Sequence, residues 1–366
     1  MISKQRLTTI VLTITGLGLF GLAFLHLDPK KVLETVGRVS ALELAALFLL
    51  RLVYWLFRAV AWKTVLSGCG GKASFSHLLQ ARLAGHAVGF LTPSSKLGGE
   101  AFKVFMVPRV PRRCLAASAI VDKTLELQAT VAMVALGIVV ALARISMPPL
   151  YQRIFLGLTA VLILLIFLLL RQQRRGLFAG ILHFLDRRGW RIPLVERNRR
   201  SISEADARIS GFYSRTRRST RAFVLLLYTA MILWWTLEIH LNLRFVGAVD
   251  VTPDLSFLLV TLGSFAYLLP GTPGSIGIYE ATYLSLYTIL GIPLRAGLAL
   301  ILFRRILALA WAGIGLLIIA RIRRIQNRES AGNSHSRSRV PDPHAHEVDH
   351  LDHVVQNSGG KKDIDQ

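Results

Sequence analysis

The sequence predicts an all-α integral membrane fold: a polytopic helical bundle of six full spans plus two re-entrant helical hairpins, with an inverted-topology repeat. Three observations lead there. Of 366 residues, 53% are hydrophobic and only 18% charged, where a soluble domain carries roughly 25% charged residues. The apolar residues form continuous blocks rather than amphipathic stripes, and about 18 in a row suffice to cross the hydrocarbon core. Two further apolar blocks are interrupted by Gly and Pro.

In chain order, Lys4 and Arg6 precede the first apolar run, Leu7–Leu25. No small-x-small cleavage site follows it, so it reads as an uncleaved first helix. Ala41–Leu66 is the second span. The block from about Leu78 to Val107 contains Gly85, Gly89, Thr92-Pro93 and Gly98-Gly99. Its two arms of roughly a dozen residues are too short to cross about 30 Å as helices, which predicts a hairpin that enters and leaves on one side. Leu115–Ile145 and Tyr151–Leu170 are full spans, as are Ala222–Val246 and Ala296–Ala320. Between the last two lies the second interrupted block, about Leu255 to Ile292, with Pro270-Gly271-Thr272-Pro273-Gly274-Ser275-Ile276-Gly277 at its centre.

Charge tests that assignment. The formal net charge is +23, and Arg171–Arg221 holds fourteen Arg against four acids. A polybasic loop between apolar blocks marks a cytoplasmic segment held against anionic lipid rather than a nucleic-acid surface. With Lys4 and Arg6 inside, the hairpin assignment also puts Lys63–Lys72, Arg109–Arg113 and Arg321–Arg324 inside, and Asp250 and Asp254 outside. Both termini are then cytoplasmic. Each half (about 7–145 and 151–320) runs helix, helix, hairpin, helix, starting from opposite sides, as inverted repeats do. Residues 1–325 thus form one membrane domain. Gln326–Gln366 is polar and aperiodic, so disorder is expected. Its five His match no closed metal site, and Cys69 and Cys114 have no metal or disulfide spacing. No metal or cofactor is expected.

Ionisable groups within the blocks need partners or a function, because each costs about 2.5–3.5 kcal/mol at a helix centre on insertion scales. At the first interruption, Pro93 stops one arm, and Gly98 and Gly99 allow close backbone approach. Glu100 falls in the first turn of the next arm, with Lys103 nearby. Asp122 and Glu126 are four apart and share a helix face. Their repulsion requires a base, from Lys96, Lys103 or an Arg of another helix. At the second interruption Pro270, Gly271, Pro273, Gly274 and Gly277 cannot continue a helix, and a helix starting near Ser275 would turn free N–H groups toward an anion such as phosphate. Glu280 follows one turn on. Arg304 suits either Glu280 or a lipid phosphate. Arg51 and Arg58, seven apart, share a face, whereas Glu238, His240 and Arg244 read as residues snorkelling at an outer helix end. For each cluster a purely structural ion pair or cap is the alternative reading.

With those residues in view, the chain resembles the membrane region of the lysylphosphatidylglycerol synthase family, over about residues 7 to 325. The first family signature appears as Thr92-Pro93, Gly99-Glu100 and Lys103, with an acidic–basic pair at Asp122-Lys123 where relatives more often end in Arg. The second appears as Pro270–Gly277 with Glu280, then Arg304; Ser275 stands where glycine is common. The resemblance implies a flippase-like domain. In two-part synthases this region moves an aminoacylated lipid between leaflets, while a soluble carboxy-terminal domain attaches the amino acid. The chain ends soon after its last apolar block, so no lysyl-lipid synthesis is expected.

The leading expectation is a transporter moving a phospholipid or isoprenoid-type lipid between leaflets of the bacterial inner membrane. Its site would be Glu100, Lys103, Asp122, Glu280 and Arg304. The alternatives are a membrane-embedded head-group transferase and a scaffold for envelope-synthesis enzymes. No nucleophile–base–orienter set marks an enzyme. The expected partners are an anionic or isoprenoid-linked lipid, the anionic lipid surface under loop 171–221, and enzymes of envelope lipid synthesis; nucleic acid is not expected.

Overall fold

A computed structural model of the chain describes residues 30, 34, 37–91, 97–145, 149–175, 186–188, 193–248, 250–264 and 278–337. Among these there are ten helices and no strand. They are α1 (Ala41–Gly68), α2 (Phe75–Leu91), α3 (Leu97–Met106), α4 (Arg112–Arg144), α5 (Pro149–Arg175), α6 (Pro193–Arg215), α7 (Arg218–Phe245), α8 (Pro253–Gly263), α9 (Ile278–Ile289) and α10 (Leu294–Arg337). Four segments among the described residues are long and apolar enough to cross a membrane: α1, α4, α7 and Leu294–Arg324 of α10. The run Leu7–Leu25 lies outside the described residues. The block at Tyr151–Leu170 falls in α5, where the described apolar stretch is Leu156–Leu168.

The long helices have readable boundaries. Ser40 caps α1: its hydroxyl accepts from the Glu43 N–H at 3.3 Å, and the Glu43 carboxylate accepts from the Ser40 N–H at 2.7 Å. Pro253 stands in the first turn of α8, where its missing N–H costs nothing. Before α10 the chain reverses at Gly291, with φ +67°, followed by Pro293.

Both interrupted blocks are pairs of short helices. α2 and α3 have 17 and 10 residues, α8 and α9 have 11 and 12. At 1.5 Å per residue even α2 reaches only about 25 Å. Each pair packs together and is followed by a long helix, so the order long, short, short, long occurs as α1–α4 and again as α7–α10.

The main core surrounds α4, which touches α1, α3, α5, α6, α7 and α8. It buries Leu115, Val121, Leu125, Val134 and Ile138 on that helix. Large apolar side chains face outward elsewhere, among them Leu156, Val161, Leu164 and Phe167 of α5, as lipid-facing residues do. α10 continues to Arg337, beyond Gln326, where composition predicts disorder. Extending an existing helix adds a hydrogen bond per residue without a new nucleation cost, so a polar sequence without Pro can follow it. Residues 338–366 lie outside the described part.

Candidate functional site

The ionisable groups of the first half meet because α2 and α3 approach closely. A Cβ on Gly85 would lie 2.7 Å from the Gly99 carbonyl oxygen and 3.2 Å from Lys103 Cβ. Without side chains at that crossing, Arg82 on α2 and Lys103 on α3 reach the same carboxylate on α4. Arg82 Nη2 donates to Asp122 Oδ1 at 2.8 Å and Oδ2 at 2.7 Å; Lys103 Nζ donates to Oδ2 at 3.2 Å. The Tyr228 hydroxyl of α7 donates to Oδ1. Asp122, Arg82 and Lys103 are all buried. Trp62 supports both cations with its ring, 5.3 Å from Arg82 and 4.6 Å from Lys103, and its own N–H donates to Ser118 Oγ at 3.1 Å.

One turn further along α4, Glu126 accepts from Arg58 at 2.7 Å and pairs with Lys123 at 3.3 Å. Arg58 also stands 3.8 Å from Glu100, which pairs with Lys103, and its Nη1 donates to Tyr54 at 3.0 Å. The base required between Asp122 and Glu126 is therefore supplied by other helices, through Arg82, Lys103 and Arg58. Arg82 was not among the residues singled out from sequence. A signal was available, because an arginine amid Leu and Ala in an apolar block is itself a marker of a buried site.

In the second half, Glu280 of α9 accepts from Arg305 Nε at 2.8 Å. The guanidinium of Arg304, the residue singled out for that role, lies over the rings of Trp235 (5.2 Å) and Tyr279 (5.7 Å). Arg305 also covers Tyr279, at 5.1 Å. Glu238 departs from the snorkelling expected of it: it is fully buried and paired with Arg51. The turn of α7 that carries it faces α1 rather than the lipid, and a charge so enclosed needs a partner. Of the interruption residues, Gly98 and Gly99 lie in the first turns of α3, Gly99 buried at the α2 crossing. Pro93, Pro270, Gly271, Pro273, Gly274 and Gly277 lie outside the described residues.

These groups surround one cavity of about 300 Å³, a volume within the range of small-molecule sites. Seven cationic side chains line it: Arg51, Arg58, Arg82, Lys103, Lys123, Arg304 and Arg305. Five carboxylates oppose them. Glu100 and Glu126 line the cavity, and Asp122, Glu238 and Glu280 stand behind it, each paired with one of the cations. The rest of the wall is mostly aromatic and aliphatic, with Trp55, Phe90, Trp235, Leu307 and Trp311, interrupted by His86, Thr130 and Ser264. Sequence placed Glu100, Lys103, Asp122, Glu280 and Arg304 at one site. Glu100, Lys103 and Arg304 line the cavity directly, while Asp122 and Glu280 anchor cations that do. Among the described residues no group of His, Cys, Asp and Glu could hold a metal ion.

Outside the spans the chemistry is ordinary surface pairing. Glu204 on α6 accepts from Arg113 and from Arg200 Nε, the latter at 3.2 Å. The Arg113 hydrogen bond holds the Glu204 carboxyl below its usual range.

Fold and site together define a multi-pass helical membrane protein with a buried, cation-rich cavity. The chain belongs to the family described as the lysylphosphatidylglycerol synthase TM region, which it matches over residues 7–316. That family ties the domain to membrane lipids. Comparison with curated proteins and with solved structures finds no match.

Proposed function

We propose that the chain is a lipid transporter that passes an anionic lipid between leaflets, its head group held in the cavity and its chains left in the bilayer. The observation that carries this reading is the mixed wall, in which cations lie among aromatic and aliphatic side chains. Cations gathered against aromatic and aliphatic side chains suit an amphiphile with a negative head. A charged head cannot cross hydrocarbon unaided, and groups already buried and oriented stand in for its water shell. In this reading α2–α3 and α8–α9 are re-entrant hairpins of an inverted repeat. Their pairing around one cavity follows the arrangement in which broken helices hold a transporter's substrate. The polybasic segment 171–221 keeps its face on the anionic cytoplasmic leaflet of the inner membrane. The chain acts as a carrier rather than a catalyst, since its buried carboxylates are engaged as ion-pair partners.

The test is reconstitution of the purified protein in vesicles containing phosphatidylglycerol with a fluorescent acyl chain, followed by chemical quenching from outside. The quenched fraction should rise well above half with wild-type protein and remain near half with Arg58→Gln. No excess quenching with folded wild-type protein for any anionic lipid would overturn the transport reading. A head-group transferase would instead show itself as a lipid species missing from deletion cells.

A further inference from the structure

Resting on that reading, we infer that Glu238 is the site of a coupling proton: it takes up one proton when an anionic head group enters the cavity, so that lipid and proton cross together. The first observation is what its ion pair leaves unmet. Glu238 and Asn242 on α7 are both fully buried. Arg51 serves Glu238 Oε1, whereas Oε2 meets no donor among the described residues, and neither does Asn242 Oδ1. The two side chains lie four apart on one helix face. Asn242 Nδ2 donates to the Glu238 carbonyl at 2.8 Å, which sets the amide over the turn that carries the carboxylate. Buried acceptors in a folded interior have donors. A carboxylic acid supplies one: protonated Glu238 gains an O–H, and Asn242 Oδ1 is the acceptor one turn away.

The second observation is the position of Arg51. Its side chain is 16% exposed and lines the cavity, while Glu238 has no exposure and stands behind it. The cation that neutralises Glu238 is thus one that a phosphate in the cavity also reaches. The Arg51 guanidinium already lies over the Tyr54 ring, at 5.0 Å, and Tyr54 is part of the cavity wall. That ring gives Arg51 a seat outside its pair with Glu238. The helices are tied at this level, because the Trp234 N–H donates to the Leu50 carbonyl at 2.8 Å, so the side chain can turn without them.

Charge then fixes the step. Once Arg51 pairs with the phosphate, an ionised Glu238 is buried without a counter-charge, which costs several kcal/mol and is relieved by protonation. The carboxylate takes the proton at Oε2, its O–H donates to Asn242 Oδ1, and Arg51 holds the phosphate. Before the exchange guanidinium and carboxylate cancel; after it guanidinium and phosphate cancel. The loaded and empty sites are both neutral, so the coupled movement carries no net charge. On the elements packed against this end of α7 the other ionisable groups are engaged elsewhere or exposed. Arg58 is held by Glu126, Arg144 pairs with Asp254 at 3.6 Å, His240 bonds Ser256 at 3.1 Å, Arg304 lies over Trp235, and Arg244 is exposed.

The test is proton uptake on binding, measured with the full-length protein in weakly buffered detergent containing a pH-sensitive dye. The ligand is dioctanoyl phosphatidylglycerol, whose phosphodiester keeps a single charge throughout. At about pH 7 the wild type should take up roughly one proton per lipid bound, and its affinity, read by tryptophan quenching, should rise by up to about tenfold for each unit of falling pH. Glu238→Gln imitates the protonated acid and releases Arg51. It should bind at least as tightly as wild type at neutral pH, lose the uptake and lose the slope. Asn242→Leu keeps the pair with Arg51 but withdraws the acceptor, and should reduce both uptake and slope. Equal uptake by wild type and Glu238→Gln would overturn the assignment and move the proton to another group, such as His86 in the cavity wall. Sodium-dependent binding at fixed pH without uptake would overturn the proton in favour of a metal cation. Binding with neither uptake nor slope would overturn the coupling and leave anionic-lipid transport standing, whereas no binding at all would overturn both.

Discussion

Asp122 in the first half and Glu280 in the second are both buried carboxylates beside the same cavity, but they are held differently. Asp122 is the centre of a hydrogen-bonded lattice drawn from four helices, with Arg82 from α2, Lys103 from α3 and Tyr228 from α7 converging on one side chain of α4. Glu280 instead binds Arg305, and the cations around it rest on ring faces, Arg305 over Tyr279 and Arg304 over Trp235 and Tyr279. Hydrogen bonds to a carboxylate are directional, whereas attraction to a ring face tolerates sliding. The first half is built as a fixed wall. The second half adds ring faces beneath both Arg304 and Arg305 to the Arg305–Glu280 hydrogen bonds, a hold that should yield more easily.

The sharpest way to break this comparison is to remove the two carboxylates separately. Asp122→Ala leaves Arg82 and Lys103 buried without their shared counter-charge and should destabilise the protein by about 3–5 kcal/mol. Thermal unfolding in detergent would show it as a large drop in Tm, accompanied by loss of transport. Glu280→Gln leaves Arg305 on the Tyr279 ring and 20% exposed. It should cost less, about 1.5–3 kcal/mol, the worth of hydrogen bonds to a charged partner. Equal drops would show that both halves are rigid and that the ring contacts supply no alternative seat.

Which features were legible in the sequence follows the same division between position along a helix and rotation about it. Apolar block length is set by bilayer thickness, so α1, α4, α7 and the apolar part of α10, Leu294–Arg324, could be placed to within a few residues of their ends, while the polar continuation of α10 to Arg337 could not. The four-residue spacing of Asp122 and Glu126 put both on one face and demanded a base from outside α4, and Arg58, Arg82 and Lys103 meet that demand. The identity of such a base is a tertiary fact. Arg304 and Arg305 point about 100° apart on one helix, and only the rotation of α10 against α9 decides which of them bonds Glu280. Glu238 was read as snorkelling because it lies near the outer end of its block. Whether that turn faced lipid or α1 depended on packing that no local pattern reports.

The smallest predicted contrast concerns how the two short-helix pairs are packed. In α2–α3 the crossing is backbone on backbone: a Cβ on Gly85 would meet the Gly99 carbonyl oxygen at 2.7 Å, and neither atom can turn aside without moving its helix. In α8–α9 the corresponding crowding is against a side chain, since a Cβ on Gly263 would meet Cζ and Oη of Tyr283 at 2.7 Å. The far end of a tyrosine can swing by a small change in χ angles, at a fraction of the cost of separating two helices. Gly85→Ala should therefore destabilise by about 1–3 kcal/mol, as overpacking does in tight interiors. It should also disturb the cavity, because the same shift carries Lys103 away from Asp122. Gly263→Ala should lower Tm less and leave the quenched fraction in the vesicle assay at its wild-type level. If Gly263→Ala proved the more damaging of the two, the assignment of the first half as the fixed wall and the second as the yielding one would have to be reversed.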